Sequence, residues 1–313
     1  MELDTFRPVI IPTLNRYDHL KKCVESLARC TYADKTDLII GFDYPPSEKY
    51  VDGWKQIKAY LPTITGFRSV TVLEESQNIG AVNNGNKLRQ YVKDLGYDAF
   101  IITEDDNVFS PNFLEYVNWG LTTFKDDKSI LAVCGFKRVD VSSLKNNVYK
   151  FPRFVAWGFG MWFDRREKLE QFRDAETQRD FIRKCPLSAI FSDRIFGVSI
   201  IIGMLHAKQV YWDALPFMLP LEQQYCLFPK KSMVRNEGFD GSGIHGGNSE
   251  INKSIFHKAV IDTDQHFLPK ISEPLYVPEL KKIYHKTYYN SFKERVKSVL
   301  RFLIFRFTGR FRF

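Results

Sequence analysis

Three consecutive acidic residues, Glu104, Asp105 and Asp106, are the part of this sequence best suited to chemistry. They follow an apolar run at 99–103, so their carboxylates are expected at the end of a buried β-strand. Carboxylates that lie so close together repel one another unless a cation lies among them or a proton is retained. Mg²⁺ and Mn²⁺ prefer oxygen ligands, typically one or two carboxylates together with phosphate and water. The cluster therefore predicts a site for Mn²⁺ or Mg²⁺ that would also suit a diphosphate.

A second interpretation of the same residues needs no metal. An acidic turn exposed to solvent often precedes a helix, and Asp106 or Ser110 could cap one that begins near Pro111. Taken alone, the cluster favours neither interpretation.

The segments that would position these acids alternate between strand and helix. Apolar runs at 9–11, 38–42, 69–73 and 99–103 are predicted strands, and 17–28, 52–60 and 80–95 are predicted helices. Strands about 30 residues apart with helices between them indicate parallel crossover connections in an α/β sheet. Ligands of such sheets bind at the carboxyl ends of the strands, so the polar residues that follow each strand are expected to meet in one pocket. Before the acidic cluster these residues are Thr13, Asn15, Arg16, Asp43 and Asn78.

The second half of the chain is less regular. It contains a predicted strand at 130–134, an aromatic segment at 157–162, a predicted helix near 164–184 and an apolar stretch at 196–205 that is expected to be buried.

Several motifs occur in an order that resembles the nucleotide-binding half of inverting GT-A glycosyltransferases, among them the wider family 2 enzymes. They are Ile-Pro-Thr-Leu-Asn-Arg at 11–16, Asn-Ile-Gly-Ala-Val-Asn-Asn-Gly at 78–85 and Ile-Ile-Thr-Glu-Asp-Asp-Asn at 101–107. The acidic trio is similar to that of the N-acetylglucosaminyltransferase I family, which has Glu-Asp-Asp where Asp-x-Asp is commoner. Two later segments extend the resemblance, Trp-Gly-Phe-Gly-Met-Trp at 157–162 and Gly-Phe-Asp-Gly-Ser-Gly-Ile-His-Gly at 238–246, so that it covers residues 7–250.

The resemblance implies an α/β fold of the GT-A type, with a Rossmann-like nucleotide-binding sheet and an acceptor-side extension. Residues 1–127 would bind the nucleotide sugar, 128–250 would form the acceptor-side and catalytic half, and 251–313 would be a C-terminal extension. Asp106 would be the direct metal ligand, with Glu104 and Asp105 supporting the site and the sugar. The implied donor contacts are Pro12, Thr13, Asn15, Arg16, Asp43, Asn78, Gly80 and Asn83.

The implied activity is metal-dependent transfer of a hexosyl or N-acetylhexosaminyl group, with inversion, from a nucleoside diphosphate donor. The donor is expected to be a UDP sugar, and the acceptor a glycan or a lipid-linked intermediate. Two other functions stay open. One is nucleotidyl transfer to sugar phosphates, although no glycine-rich phosphate loop with a lysine follows the first strand. The other is sugar or lipid binding without catalysis.

An inverting transfer needs a carboxylate that takes the proton of the acceptor hydroxyl. Asp193 falls where the resembled family has Phe-Trp-Asp-Asp before its catalytic base, but Arg194 follows it here, so the family's base has no counterpart at its own position. Asp193 is therefore the first candidate for the base. Asp164, which could equally be a helix cap, is the second.

Two residues near the end of the resemblance have both functional and structural interpretations. His245 lies in a glycine-rich loop, where its imidazole could bind the metal or the diphosphate, or the loop could be a surface turn. The sequence favours the functional role. Arg235 could offset the charge of the leaving diphosphate, or it could be a surface cation.

The segment 291–313 has the pattern of a basic amphipathic helix. It carries +6 of the net charge of +8, and its apolar residues recur at helical spacing. Such a helix can lie in a membrane interface, where anionic lipid attracts each cation by about 1 kcal/mol. The alternative is a helix docked on the protein, with its cations in water. The pattern favours the membrane.

The rest of the chain carries only +2, which argues against a nucleic-acid-binding surface. Five cysteines without Cys-x-x-Cys spacing are typical of free thiols in a reducing compartment. The first residues do not form a signal peptide, and no apolar run is long enough to span a bilayer. We therefore expect a cytoplasmic protein attached peripherally to the inner face of the membrane.

Overall fold

The amino-terminal part of the protein alternates strand and helix. The computed structural model describes residues 3–137, 139–170, 174–192, 195–206, 224–243, 259–289 and 291–310. The first strands are β1 (Val9–Thr13), β2 (Asp37–Phe42), β3 (Ser69–Glu74) and β4 (Ala99–Ile102). The helices between them are α1 (Tyr17–Ala28), α2 (Val51–Tyr60) and α3 (Gly80–Asp94). Neighbouring strands are parallel, in the order β3-β2-β1-β4, so the predicted α/β fold is confirmed.

The remainder of the chain extends the same sheet and adds a separate pair of strands. Its strands are β5 (Asn107–Phe109), β6 (Ile130–Cys134), β7 (Val148–Phe151), β8 (Phe159–Trp162), β9 (Tyr225–Pro229) and β10 (Val234–Asn236). Its helices are α4 (Phe113–Thr123), α5 (Phe163–Glu170), α6 (Ala175–Lys184), α7 (Ile195–His206), α8 (Pro278–Tyr288) and α9 (Phe292–Thr308). Short 3₁₀ turns occupy Ala33–Lys35, Glu48–Tyr50, Leu61–Thr63 and Leu187–Phe191.

The direction of the strands changes in the middle of the sheet. The full order is β3-β2-β1-β4-β8-β6-β9-β7, and β8 runs antiparallel to both of its neighbours. β9 is parallel to β6, and β7 is antiparallel to β9. β5 and β10 form a separate antiparallel pair. One sheet therefore joins the first and second halves of the chain.

Close packing between α4 and the sheet explains why the aromatic segment contains glycine. Residues 113–121 of α4 are all buried, and the helix packs on β6 and β8. A Cβ at Gly160 would lie 2.6 Å from a Val117 methyl carbon. The segment at 157–162, which was not predicted as a strand, thus supplies β8 to the core.

The helix predicted near 164–184 is wrong as a single element. It is two helices, α5 and α6, and the second has its own N-cap, because the Asp174 side chain accepts the backbone N–H of Thr177. The apolar stretch near 200 is confirmed as a mostly buried helix, α7.

The C-terminal helix α9 is docked on the protein by one face. Ser298, Phe302 and Phe305 are buried, and the helix packs on α6 and α7. The Arg301 guanidinium donates to the Ser199 hydroxyl over 3.2 Å. Among the helices that the structure describes, none is both long and apolar enough to cross a bilayer.

A polar cluster holds the amino ends of β2 and β3 together. Asp37 accepts hydrogen bonds from the Arg68 guanidinium, from the Ser69 hydroxyl over 2.7 Å and from the Tyr97 hydroxyl over 2.8 Å. The pKa of Asp37 is lowered to about 2, and the hydrogen bonds from Arg68 are the largest cause. The cluster lies at the opposite edge of the sheet from the acidic trio.

Candidate active site

The acidic trio lies where two parallel strands end side by side. β1 pairs with β4 in the register Val9↔Ile101 and Ile10↔Ile102, so the residues that follow the two strands emerge at the same edge. Asp105 and Asp106 are only 5% and 7% exposed, whereas Glu104 is exposed. The predicted meeting of the two strand ends is therefore observed.

Arg16 bridges the two buried carboxylates. One terminal nitrogen of its guanidinium donates to Asp106 Oδ2 over 2.8 Å, and the other donates to Asp105 Oδ1. Arg16 precedes the first residue of α1, and its side chain is 19% exposed. The two acids and the arginine together carry one net negative charge, in a pocket that excludes most water.

Neutral donors hold the remaining carboxylate oxygens of this pair. The Thr13 hydroxyl donates to Asp105 Oδ2 over 2.8 Å, and the Asn236 amide donates to Asp106 Oδ1 over 2.8 Å. Each carboxylate therefore has one oxygen bound by a neutral group and one bound by Arg16. This arrangement excludes the solvated acidic turn. Asp106 does not cap α4 either, because α4 begins after Asn112 and its N-cap makes no side-chain hydrogen bond.

The electrostatics of the site follow from this burial. Burial raises the pKa of Asp105, and the nearby Asp106 charge raises it further, while Arg16 and Thr13 partly offset both effects. Burial by itself would lower the pKa of Arg16, but the Asp105 and Asp106 carboxylates raise it above its ordinary value. The site is thus built to hold positive charge between two carboxylates.

Asn236 is a site residue that the sequence did not indicate. It lies on β10, which pairs with β5 directly after the acids, in the register Asn236↔Asn107. Its side-chain oxygen accepts the backbone N–H of Gly238 over 3.0 Å. Gly238 passes so close to Asp106 that a Cβ at this position would overlap the carboxylate. Only glycine fits there without displacing Asp106.

The glycine-rich loop that begins at Gly238 lies against α1. The His19 ring contacts Asp240 at 2.8 Å, and Lys22 contacts Glu237 at 3.2 Å. The first part of the loop is therefore placed beside Arg16 and the acids. His245 lies outside the described residues, as does Asp193.

Asp43, at the end of β2, holds the start of α3. Its Oδ1 accepts the backbone N–H groups of Tyr44 and Ile79 over 2.9 Å each, and its Oδ2 accepts the Gly80 N–H over 2.9 Å and the Asn78 amide over 3.2 Å. These four hydrogen bonds fill the acceptor positions of a carboxylate. Gly80 has a φ of +79°, a conformation that favours glycine.

The other predicted donor contacts lie around this edge. Pro12 and Asn15 are partly exposed, and the Asn15 carbonyl lies where a Cβ at Gly53 would overlap it. Asn83 is exposed on the first turn of α3, and its amide donates to the Ile79 carbonyl over 2.8 Å.

Two predicted site residues are placed away from the acids. Asp164 follows β8, which pairs antiparallel with β4 in the register Ala99↔Trp162, so it lies at the amino end of β4. There it contacts Lys128 at 2.6 Å and Arg165 at 2.8 Å. Four strand residues at about 3.3 Å each separate it from the acidic edge, so Asp164 does not share a pocket with Asp106.

Arg235 precedes Asn236 on β10, and successive strand residues point to opposite sides. Its guanidinium contacts Glu237 at 2.7 Å rather than the acidic pair. The structure therefore brings Asn236 to the acids and leaves Arg235 on the other side of the strand.

The oxygens of Asp105 and Asp106 suit a hard divalent cation, and the site already holds a positive charge between them. Within the described ranges, no three His, Cys, Asp or Glu side chains converge as a complete metal cage. Mg²⁺ and Mn²⁺ that bind a diphosphate usually need only one or two protein carboxylates, since phosphate and water supply the other ligands. The residues present therefore fit such an ion together with a diphosphate.

Comparison with known proteins gives one family match. The family model described as Glycosyl transferase family 2 matches residues 9–190. No curated protein matches the sequence significantly.

Several solved structures are similar in part. The mannosyltransferase PcManGT from Pyrobaculum calidifontis, in complex with GDP-Man and Mn²⁺, is 19% identical, with 55% of this chain and 50% of that chain covered and a TM-score of 0.36. Residues 1-349 of S. aureus TarS are 10% identical, with 74% and 60% covered and a TM-score of 0.42. Mouse xyloside xylosyltransferase 1, in its apo form, is 10% identical, with 52% and 69% covered and a TM-score of 0.33. The chain spans half the length of the first of these proteins.

Proposed function

We propose that this chain, which belongs to glycosyl transferase family 2, transfers a sugar with inversion from a UDP sugar to a glycan or a lipid-linked acceptor. The observation that carries the proposal is the buried pair Asp105–Asp106 at the carboxyl ends of β1 and β4, with the Arg16 cation between them. A diphosphate needs cationic partners, and this edge supplies a cation and ligands for another.

The donor would lie along the ends of β1, β2 and β4. We assign Asp106 as the metal ligand, Asp105 as its support, and the exposed Glu104 as a contact for the sugar. Asp43 has no acceptor position left, so we infer that it acts on the donor through the loop at 78–80 that it holds. Pro12, Asn15, Asn78 and Asn83 would line the nucleoside side. We do not extend this role to Arg235, because it pairs with Glu237.

In the proposed reaction, the acceptor oxygen attacks the anomeric carbon as the bond from that carbon to the diphosphate oxygen breaks. The bonding electron pair leaves with the diphosphate. The hydroxyl proton passes to a carboxylate, for which Asp193 stays the candidate. Arg16 would donate hydrogen bonds to the diphosphate as its negative charge grows. A bound Mn²⁺ or Mg²⁺ would neutralise part of that charge.

We further infer that α9 attaches the protein to an anionic membrane surface. Phe292, Val296, Leu300 and Phe307 are 84%, 38%, 51% and 71% exposed, and their spacing places them in one stripe along the helix. Lys293 and Lys297, one position after the first two, are exposed as well.

The docked face of α9 reduces the number of cations that lipid could attract. Arg301 donates to Ser199, Arg306 donates to the backbone carbonyls of 183 and 185, and Arg295 contacts the His285 ring. Among the described cations of this segment, Lys293, Lys297 and Arg310 therefore supply most of the attraction, at about 1 kcal/mol each. The docked face of the helix agrees with the second interpretation of the tail, and the membrane attachment that we propose concerns its exposed face. The cytoplasmic location and the division at 127 and 250 stay predictions.

The decisive experiment measures release of UDP from a panel of UDP-hexoses and UDP-N-acetylhexosamines, with Mn²⁺, with Mg²⁺ and with EDTA. We expect one donor to be turned over only when a divalent cation is present. Transfer of a nucleotidyl group to a sugar phosphate, or donor binding without turnover at any metal concentration, would contradict the proposal.

A further inference from the structure

We propose that Arg16 is the resident counter-ion of the Asp105–Asp106 pair and is exchanged for a divalent cation when the diphosphate donor binds. The proposal rests on the proposed function, because it concerns the same site. It assigns Arg16 two positions, one on the carboxylates and one on the diphosphate.

The four oxygens of the two carboxylates are divided between neutral donors and Arg16. Neutral donors, Thr13 and Asn236, hold Asp105 Oδ2 and Asp106 Oδ1 over 2.8 Å each. The other oxygen of each carboxylate is bound by Arg16. If the guanidinium leaves, one oxygen on each acid becomes available while the other keeps the carboxylate in its orientation.

The negative charge of the two carboxylates also favours such an exchange. Two buried carboxylates without a cation would repel each other, so Arg16 stabilises the protein before any ligand binds. A divalent cation supplies more charge than the arginine does, and it leaves the guanidinium free for the incoming diphosphate. Guanidinium and diphosphate form strong, bidentate hydrogen bonds. The charge of the site is thus compensated both before and after the exchange.

The Arg16 side chain can move, whereas the backbone before it cannot. The backbone before Arg16 is tightly packed, because the Asn15 carbonyl leaves no room for a Cβ at Gly53. The Arg16 side chain is 19% exposed, so part of it already reaches solvent. The exchange therefore needs rotation of one long side chain and no movement of the loop.

Two consequences follow from this exchange, and the first separates it from a fixed donor contact. While Arg16 occupies the carboxylates it competes with the metal, so the nucleotide-free protein should bind Mn²⁺ weakly. When UDP is present, it draws the guanidinium away and should strengthen Mn²⁺ binding. Because coupling between two ligands is reciprocal, Mn²⁺ must then strengthen UDP binding by the same factor.

The test compares Arg16→Gln with Arg29→Gln, a matched control with the same charge change at the other end of the same helix, whose C-cap is Arg29. Mn²⁺ affinity is measured by electron paramagnetic resonance, without nucleotide and with saturating UDP. We expect Arg16→Gln to bind Mn²⁺ alone roughly tenfold tighter than wild type and to have its UDP coupling reduced by the same factor, while the coupling that comes from diphosphate ligands to the metal remains. Arg29→Gln should match wild type within about twofold.

Arg16→Lys keeps the charge but cannot bridge both acids, so its Mn²⁺ affinity should fall between the other two. This variant carries the test if Arg16→Gln does not fold, as judged by circular dichroism. The exchange is overturned if both Arg16 variants bind Mn²⁺ alone no more tightly than wild type does, while UDP binding by wild type depends on Mn²⁺. The proposed function would then still stand. If wild type binds neither Mn²⁺ nor UDP in any combination, both proposals fall.

Discussion

The side-chain amide of Asn236 donates to the Asp106 carboxylate over 2.8 Å, although 130 positions separate the two residues in the chain. The same amide nitrogen also donates to the Asn107 side chain over 3.0 Å, and Asn236 is only 3% exposed. Its position is therefore fixed on both sides, and it fixes one oxygen of Asp106 in turn.

We expect Asn236→Ala to weaken Mn²⁺ binding in the presence of UDP by about tenfold, because residues that orient a metal ligand typically contribute 10- to 100-fold in affinity. The matched control is Arg235→Gln, a change on the opposite side of the same strand, which should leave the affinity within about twofold. Calorimetric titration of both variants makes the comparison. Equal losses in the two would indicate that β10 itself has been disturbed.

Asp106→Asn should abolish metal-dependent turnover of the donor, with a loss of at least about 100-fold, since a charged oxygen ligand is replaced by an amide of the same shape. Asp164→Asn, at the opposite edge of the sheet, should retain nearly full activity. Turnover is measured as UDP release at saturating Mn²⁺. A strong loss in Asp164→Asn with unchanged folding would return that residue to consideration as the catalytic base.

Asp43→Ala should lower the free energy of unfolding by about 2 kcal/mol, because four donors, three of them at the start of α3, lose their acceptor. Asp94→Ala, at the exposed last position of the same helix, is the control and should change stability by less than about 0.5 kcal/mol. Urea denaturation followed by circular dichroism gives both values. If Asp43→Ala unfolds like wild type but loses UDP affinity, Asp43 contacts the donor directly.

Replacing exposed residues of α9 should release the protein from anionic vesicles without unfolding it. Two double variants test this, Leu300→Gln with Phe307→Gln and Lys293→Gln with Lys297→Gln. We expect each of them to reduce sedimentation of the protein with phosphatidylserine vesicles. High salt screens the attraction of the cations, so wild-type binding should weaken at high salt, whereas the smaller binding left in the lysine variant should depend less on salt.

Deleting the whole helix is unsuitable for this purpose, because Phe302 and Phe305 belong to the core. Melting temperatures of the α9 variants should match wild type, and neutral vesicles serve as the lipid control. Sedimentation that is the same for every variant, or absent from wild type, would show that α9 serves the protein alone.

The Asp37 cluster predicts a stability change in acid. The Arg68 hydrogen bonds lower the pKa of Asp37 to about 2 in the folded protein, below its value of about 3.9 in an unfolded chain. The stabilisation is therefore complete above about pH 4 and is lost as the pH falls towards 2. Since Arg68 is half exposed, about 1 kcal/mol is expected rather than the full linkage value. Wild type should lose stability between pH 6 and pH 3 partly through Asp37, and Asp37→Asn should lack this contribution when melting curves at the two pH values are compared.

The first half of the fold could be predicted because its strands are apolar runs of regular spacing. Parallel crossover geometry then brings the residues after β1 and β4 to one edge, which is why Arg16 was expected near Asp105 and Asp106. The fourfold use of the Asp43 carboxylate was not predictable, because the same residue type at a strand end can bind a ligand or a helix.

The second half shows what sequence patterns leave open. Asn236 reaches Asp106 through pairing of two three-residue strands, β5 and β10, and strands so short have no periodicity to detect. Asp164 is the second candidate for the base from sequence, but β8 runs antiparallel to β4 and carries it to the opposite edge. Strand direction is set by tertiary pairing, and the local sequence of 157–162 does not contain it.

The long separation between Asn236 and Asp106 has a consequence for biosynthesis. At 5–20 residues per second, the ribosome adds the 130 residues from Asn107 to Asn236 in roughly 6.5 to 26 s. During that interval, β1 to β4 and Arg16 are already available, so the acids can acquire their arginine while the asparagine is still unmade. The nascent chain should therefore pass through a stage in which Arg16 lies between the two acids but Asp106 is not yet oriented. Competence for the divalent ion would then mark completion of synthesis past β10 rather than formation of the first sheet.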